Sequence, residues 1–235
     1  MSTVERAKRK TLPPLEAGQR LDQPTFHERY EAMPPNIKAE LVEGIVYMPS
    51  PMRGDHGGTS RVTAFWLSHY QWKTPGVGGE DGCTVKLDLH GEPQPDHMLR
   101  LPTELRGKTR IDDEGYLIGP PELLIEVARS SRSFDLNEKK ADYERAGVVE
   151  YVVFELEPDR LHWFIRRGTH FVQIRPGSDG IYRSKVFPGL WLDPGALYAQ
   201  DFDRLIEVLE QGLATPEHAA FVAKLAAAGA ARKKS

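Results

Sequence analysis

Glu126 is the residue whose surroundings most call for a chemical explanation. It stands inside Leu123-Leu124-Ile125-Glu126-Val127-Ala128, a short and nearly continuous apolar run of the kind that forms a strand covered on both faces. An ionised carboxylate in such a place is costly unless a cation or hydrogen-bond donors meet it. Lys139 is the natural partner. It falls in the first turns of the helix predicted after this strand, where it can share a face with Tyr143 four positions on. By themselves these two residues describe a buried ion pair with no catalytic task more readily than a reactive centre. Asp96 shifts the balance. It opens a strand after Pro95, and a hairpin neighbour of the Glu126 strand would bring a second carboxylate to the same place. Two carboxylates and a lysine around one point can hold a hard divalent cation that keeps several waters, as Mg2+ prefers.

The elements that must position these groups follow from local pattern. Asp135-Leu136-Asn137-Glu138 places a cap residue three positions before a Glu, so the helix is expected to start at Asp135, run to Ala146 and stop at Gly147. Val148 to Phe154 is again β-branched and aromatic. Strand, helix, strand is a βαβ unit with parallel pairing. Glu126 and the start of the helix then lie at the carboxyl edge of the sheet, where open sheets bind ligands. Upstream, Ala39 to Val42 and Ile45 to Met48 flank Glu43-Gly44 as a hairpin, which puts Glu40 on a strand. Val62, Phe65, Trp66 and His69 recur at helical spacing between His56 and Tyr70 and predict one buried face. Thr84 to Leu89 alternates as a strand, His90 to Pro93 turns, and Pro95 to Leu101 is a second strand. Residues 102 to 119 are polar and loop-like.

At the N-terminal side, Thr25-Phe26-His27-Glu28 has capping-box spacing and should open a short helix before Pro34-Pro35. Residues 1–24, with Lys8-Arg9-Lys10, Pro13-Pro14, Gly18 and Pro24, are expected to form a flexible basic arm. Downstream, Leu161 to Arg166 and His170 to Ile174 flank Gly168 as a second hairpin, and a last strand is expected before Pro188-Gly189. Asp201 to Leu213 is helical, with Leu205, Val208 and Leu209 in phase, and Thr215-Pro216 caps an Ala-rich helix. This gives a domain over 25–200 and a C-terminal helical extension, 201–235, with a disordered end. Phe221 and Leu225 in that extension suit docking on the same chain's sheet better than oligomerisation.

Composition limits the function classes. The chain has 235 residues, 40% of them hydrophobic, enough for a sizeable core. A single cysteine, Cys83, excludes an internal disulfide framework and fits a reducing, cytoplasmic setting. No apolar window is long enough to span a membrane, and the first ten residues lack a signal-peptide core. With 31 Lys and Arg against 34 Asp and Glu, the formal net charge is −3, so any polyanion must be held by a local patch.

The ordered set Pro95-Asp96, Glu126-Val127-Ala128, Asp135-Leu136-Asn137-Glu138-Lys139, Tyr143, Gly147-Val148 and Glu150-Tyr151 resembles the Uma family of putative restriction endonucleases, within the PD-(D/E)XK nuclease superfamily. Glu40 to Val46, Met48-Pro49-Ser50-Pro51 and His56 match its pattern too, and the similarity covers about residues 25 to 200. The resemblance implies an α/β fold: a restriction-endonuclease-like mixed β-sheet flanked by helices, with an added N-terminal hairpin and C-terminal helices. It implies a bacterial nuclease with Asp96 and Glu126 as ligands of Mg2+ (or Mn2+) and nucleic acid, DNA first, as partner. It departs at Ala128, where the superfamily motif has a lysine. Lys139, one helix later, takes that role by position, with Lys140, about 100° round the helix, as the alternative.

The chemistry expected is metal-assisted hydrolysis of a phosphodiester. Glu40 would complete the metal site directly or through water. His56 would contact a phosphate or act as an acid, or else cap or pack. Arg129, Arg132 and Lys140, near the crossover loop, would contact the nucleic-acid backbone, or remain exposed and unengaged. The competing reading is a catalytically inactive nuclease scaffold that binds nucleic acid or assembles as a homodimer.

Overall fold

The run around Glu126 forms an interior strand. The computed structural model describes residues 12–49 and 54–232. The chain runs through α1 (Gln23–Glu31), the hairpin β1 (Glu40–Val42) and β2 (Ile45–Tyr47), α2 (Gly54–Lys73), β3 (Gly78–Asp81), β4 (Val85–Lys86) and β5 (His97–Arg100). After a 3-10 turn at Thr103–Leu105 come β6 (Arg110–Ile111), β7 (Leu117–Ile118) and β8 (Leu123–Ala128). A helical run over 132–146 follows, made of α3 (Arg132–Phe134), a π-helical segment (Asp135–Lys139) and α4 (Lys140–Ala146). The last elements are β9 (Glu150–Leu156), β10 (Asp159–Arg167), β11 (His170–Ile174), β12 (Tyr182–Arg183), β13 (Trp191–Leu192), α5 (Pro194–Ala199), α6 (Phe202–Leu213) and α7 (Pro216–Arg232).

Six strands form the main sheet in the order β11-β10-β9-β8-β5-β3. Its β8 and β9 pair in parallel across the helical crossover, and its other neighbours are antiparallel. Both faces of β8 are covered, which explains its continuous apolar sequence. Leu123, Ile125 and Val127 face a core with Val62, Trp66 and Tyr70 of α2 and Leu205 and Leu209 of α6. Leu124 and Ala128 face the other way, onto Tyr143, Val148, Tyr151 and Val153. Period-two alternation therefore turns Glu126 toward the helical crossover. This is the mixed sheet flanked by helices that the family resemblance implied.

Several local expectations are corrected. The cap of α1 is Asp22, whose carboxylate accepts from the Thr25 amide at 2.9 Å, because Pro24 fits the first helical turn and draws the start upstream. Asp135 caps nothing: residues 132–134 are already helical, and Asp135 sits inside the run with its side chain buried. The buried face of α2 is Thr59, Val62, Thr63, Trp66, Leu67 and Tyr70. Phe65 instead lies at the rim edge-on to Phe202, and His69 meets Glu210 at 2.6 Å. The strand expected over 84–89 is reduced to β4, which pairs in parallel with β7 in a separate small sheet. The glycine stretch before it conceals β3: a Cβ at Gly78 would meet the Arg100 side chain at 2.8 Å, so glycine here leaves Arg100 room to lie across the strand.

Residues 12–22, read as part of a flexible arm, are fastened to the hairpin. Leu15 is buried, Gly18 donates its amide to Val46 O at 2.8 Å, and the Arg29 guanidinium donates to Pro13 O at 2.9 Å. In the C-terminal helices, Leu205, Val208, Leu209 and Leu225 are buried within this chain. The segments Lys8-Arg9-Lys10, Ser50-Pro51 and Lys233-Lys234 lie outside the described residues.

The hairpin turn carries Glu43 at φ 51° and Gly44 at φ 73°, the left-handed pair that a two-residue hairpin demands. Asp142 of α4 reaches this turn. It accepts from the Glu43 amide at 3.2 Å and pairs with Arg145, while its other carboxylate oxygen is buried without a partner. Burial pushes its carboxyl up to about 7 against the pull of Arg145. The hairpin is thus held over the crossover helix, and Glu40 with it.

Candidate active site

Five chain segments converge at the carboxyl edge of β8. Glu126 points from β8 toward the crossover. Lys139, at the end of the π-helical segment, donates from Nζ to Glu126 Oε1 at 3.0 Å and to Glu40 Oε1 at 3.0 Å. Tyr143, one turn on, donates its hydroxyl to Glu126 Oε1 at 2.7 Å. The side chains of Lys139, Glu126 and Glu40 are 5%, 5% and 8% exposed, so this is a buried cluster. Glu40 is further held by the Gln94 backbone amide at 2.6 Å.

Register delivers Asp96. His97 stands opposite Ile125 across the β5–β8 pair, so the preceding residue comes level with Glu126. There its Oδ2 accepts from the Val127 amide at 2.7 Å and faces His56 Nε2 at 3.3 Å. Its side chain keeps 21% of its surface exposed and is the open side of the cluster. His56 comes from the first turn of α2.

The charges do not balance. Glu40, Asp96, Glu126 and Asp135 gather around Lys139 and His56. Burial raises the Glu126 carboxyl well above the usual range; Lys139 opposes this, and Asp96, Asp135 and Glu40 add to it. Burial works against the Lys139 charge, yet Glu126, Glu40 and Asp135 hold its pKa well above the ordinary value. Burial also pushes Asp135 up to about 6, and its Oδ2 is buried with no hydrogen-bond partner. For Asp96 burial is outweighed by His56, and the carboxyl titrates below its normal range. The hydrogen bond to Asp96 raises His56 in turn, against its own burial.

Asp96, Glu126, Lys139, Glu40 and His56, all singled out in the sequence, are therefore brought together. Asp135 was assigned only a capping role, although its spacing of four from Lys139 is the signal that puts both on one side of a helix. The π-helical hydrogen bonding of this stretch is of a kind that recurs at functional sites. The three outer cations are engaged rather than free. Arg129 pairs with Asp55 and with Glu157 Oε1 at 2.5 Å, Arg132 with Glu155 Oε1 at 2.6 Å, and Lys140 lies 5.0 Å over the Phe164 ring. Among the described residues no group of three or more His, Cys, Asp or Glu side chains is arranged to hold a metal ion. No helix among them is long and apolar enough to cross a membrane.

The fold has a solved counterpart. A crystal structure entitled a "putative nuclease belonging to DUF820" from Anabaena variabilis matches with a TM-score of 0.57 and 10% identity, over 73% of this chain and 96% of that one. At that identity the likeness concerns the fold. No curated protein matches the sequence. Residues 25–195 match the Uma2 family, described as "Putative restriction endonuclease", and the chain belongs to that family.

Proposed function

We propose that the chain is a metal-dependent phosphodiester hydrolase acting on DNA, with Asp96, Glu126 and Lys139 as its reactive centre. The observation that carries the reading is Lys139 bridging Glu126 and Glu40 beside Asp96, at the sheet edge where such folds bind ligands. The charge balance favours a hard cation held by two carboxylates and waters, since no three of the acids are arranged to chelate one among the described residues. Four carboxylates outnumber two cationic side chains, and a buried Asp135 oxygen lacks a partner. Asp96 and Glu126 would hold Mg2+ or Mn2+, with waters completing its shell.

When bound, such an ion supplies charge neutralisation at the phosphoryl oxygen and acidifies a bound water. The protein's own groups do the rest. Lys139 Nζ orients the attacking water and offsets charge developing on the phosphate. Glu40 fixes the ammonium from its second side. The Val127 amide fixes Asp96. His56, whose proton is held more tightly because of Asp96, points Nε2–H at Asp96 and would have to exchange that contact for a phosphate or leaving oxygen. Arg129 and Arg132 would exchange carboxylate partners for backbone phosphates, with Lys140 farther round the helix.

Incubation with DNA and Mg2+ or Mn2+ tests this directly. Cleavage is expected from the parent and lost in folded Asp96→Ala, Glu126→Ala and Lys139→Ala proteins; unchanged cleavage by the Glu126 variant overturns the assignment. A second reading, an inactive scaffold for nucleic-acid binding or homodimer assembly, is favoured by the mutual satisfaction of Lys139, Glu40, Glu126 and Tyr143. Calorimetry without divalent-ion binding, alongside retained DNA binding or dimerisation, would select it.

A further inference from the structure

Beside this edge lies a groove of about 650 Å³ that no part of the mechanism uses. Arg160, Leu161, Pro176, Tyr182, Pro194 and Tyr198 line it, between the start of β10 and α5. Two tethers tie it to the reactive centre. Glu157, two residues before Asp159 in the groove wall, pairs with Arg129, which itself follows β8. On the other side Gln200, next to the lining residue Ala199, packs against Gly58, two positions from His56. β10 lies two strands from β8, about 10 Å along the sheet at normal strand spacing, and the groove opens on the face packed by α2 and α6, the opposite face from Glu126, so a strand must pass round the sheet edge to reach both.

Its chemistry is that of a flat ring next to a phosphate chain. Tyr182 stacks on Trp163 with centroids 5.8 Å apart, and Tyr198 stands edge-on to Phe154 at 6.4 Å. Core aromatics thus hold both tyrosines in place, so little ordering is needed on binding. The Tyr198 hydroxyl is buried beside the Arg160 backbone amide without a hydrogen bond of good geometry. Arg129 and Arg132 are taken up by carboxylates, whereas Arg160 is exposed and has no ion-pair partner among the described residues. Asp159 adds an acceptor for an exocyclic amine.

We propose that this groove receives one unpaired nucleobase of the strand whose backbone crosses the Asp96–Glu126 centre, which makes single-stranded or locally unpaired nucleic acid the substrate. The inference rests on the nucleic-acid reading of that centre. A duplex keeps its bases stacked inside and fills such a groove only by extruding one. It would also lay two charged backbones along an edge that carries Glu155, Glu157 and Asp159. Tyrosine and proline faces serve any base, so this contact selects for unpairing more than for sequence.

Binding measured apart from cleavage tests it. The full-length chain, in EDTA, is titrated into short fluorescent DNA, single-stranded or duplex, and anisotropy is followed. Single strands are expected to bind more tightly. Tyr198→Ala and Arg160→Ala should each weaken single-strand binding, the former by roughly 5- to 150-fold, the range for a lost base–aromatic stack. Duplex binding should stay unchanged. Replacing one nucleotide at a time by an abasic residue should reproduce the Tyr198→Ala loss at a single position, a result that needs no altered protein. Melting curves identify a Tyr198→Ala protein that fails to fold, and Arg160→Ala with the abasic series then decides. Single-strand binding unaffected by these changes, equal weakening of both DNA forms, or a preference for duplex overturns the groove assignment. Cleavage lost in Asp96→Ala while the groove variants bind normally sinks the groove alone. Groove-dependent binding with no cleavage sinks the hydrolase alone.

Discussion

Replacing Lys139 by methionine keeps much of the side-chain volume and removes the ammonium that Glu126 and Glu40 share at 3.0 Å each. Two carboxylates would then stay buried without their cation, with Asp135 nearby. Breaking a buried pair from one side costs about 3–5 kcal/mol. For a chain of this size each kcal/mol lowers Tm by about 2–4 °C, so the expected fall at pH 7 is roughly 6–20 °C. The dependence on pH fixes the cause. Burial holds the folded-state Glu126 and Asp135 carboxyls above their ordinary values, Asp135 at about 6. The folded protein therefore keeps protons that the unfolded chain releases. Stability from that protonation is present at low pH and lost as pH rises through the folded-state values. Without Lys139 the loss is larger, so the deficit of Lys139→Met relative to the parent should grow between pH 5 and pH 7. Calorimetric melting at the two pH values, with and without Mn2+, measures it, and Mn2+ should raise the Tm of the variant if the carboxylates accept a cation. A parent-like Tm at pH 7, or a deficit equally large at pH 5, would refute the reasoning.

Three further outcomes are expected. Tyr143→Phe removes the hydroxyl donor to Glu126, and urea unfolding should register a loss of about 1.5–3 kcal/mol, as for a hydrogen bond to a charged group. Asp142→Asn takes away a buried carboxyl that titrates at about 7 instead of 3.8. The parent should lose up to about 4 kcal/mol relative to this variant between pH 4 and pH 7, and parallel stability curves across that range would contradict the assignment. Gly147→Ala forces a side chain into φ 95° at the end of α4 and should cost about 1–2 kcal/mol by chemical denaturation, with the far-ultraviolet spectrum unchanged.

The parts of the fold that could be read in advance are those where one physical cause dominates. Burial on both faces makes β8 uniformly apolar, and its bounds, Leu123–Ala128, coincide with the expected strand. Gly147 ends α4 because only glycine enters the left-handed region cheaply. The Glu126–Lys139 contact followed from strand–helix–strand order alone. Where two causes produce one pattern, the reading slipped. An acid three positions before a Glu marks a helix start, yet here the same spacing lies inside a helix that begins at Arg132 after Ser131, a cap-type residue that makes no side-chain cap hydrogen bond. Phe65 shared the helical period of Val62 and Trp66 but sits at the rim, because α6 offers it Phe202. The strand β3 was hidden by glycines that serve close packing rather than a turn. Glu40 was tied to the centre only through the family resemblance, since nothing local in the hairpin announces a lysine 99 residues away.

That separation has a consequence for how the protein comes into being. A ribosome releases Glu40, Asp96 and Glu126 before it releases Lys139, and until then Glu40 and Glu126 lack the ammonium they share, while Asp96 has only His56. The nascent chain is thereby kept from closing its carboxylates into a dry interior prematurely. The ammonium arrives after all three acids and bridges two of them, much as a keystone is set after both sides of an arch.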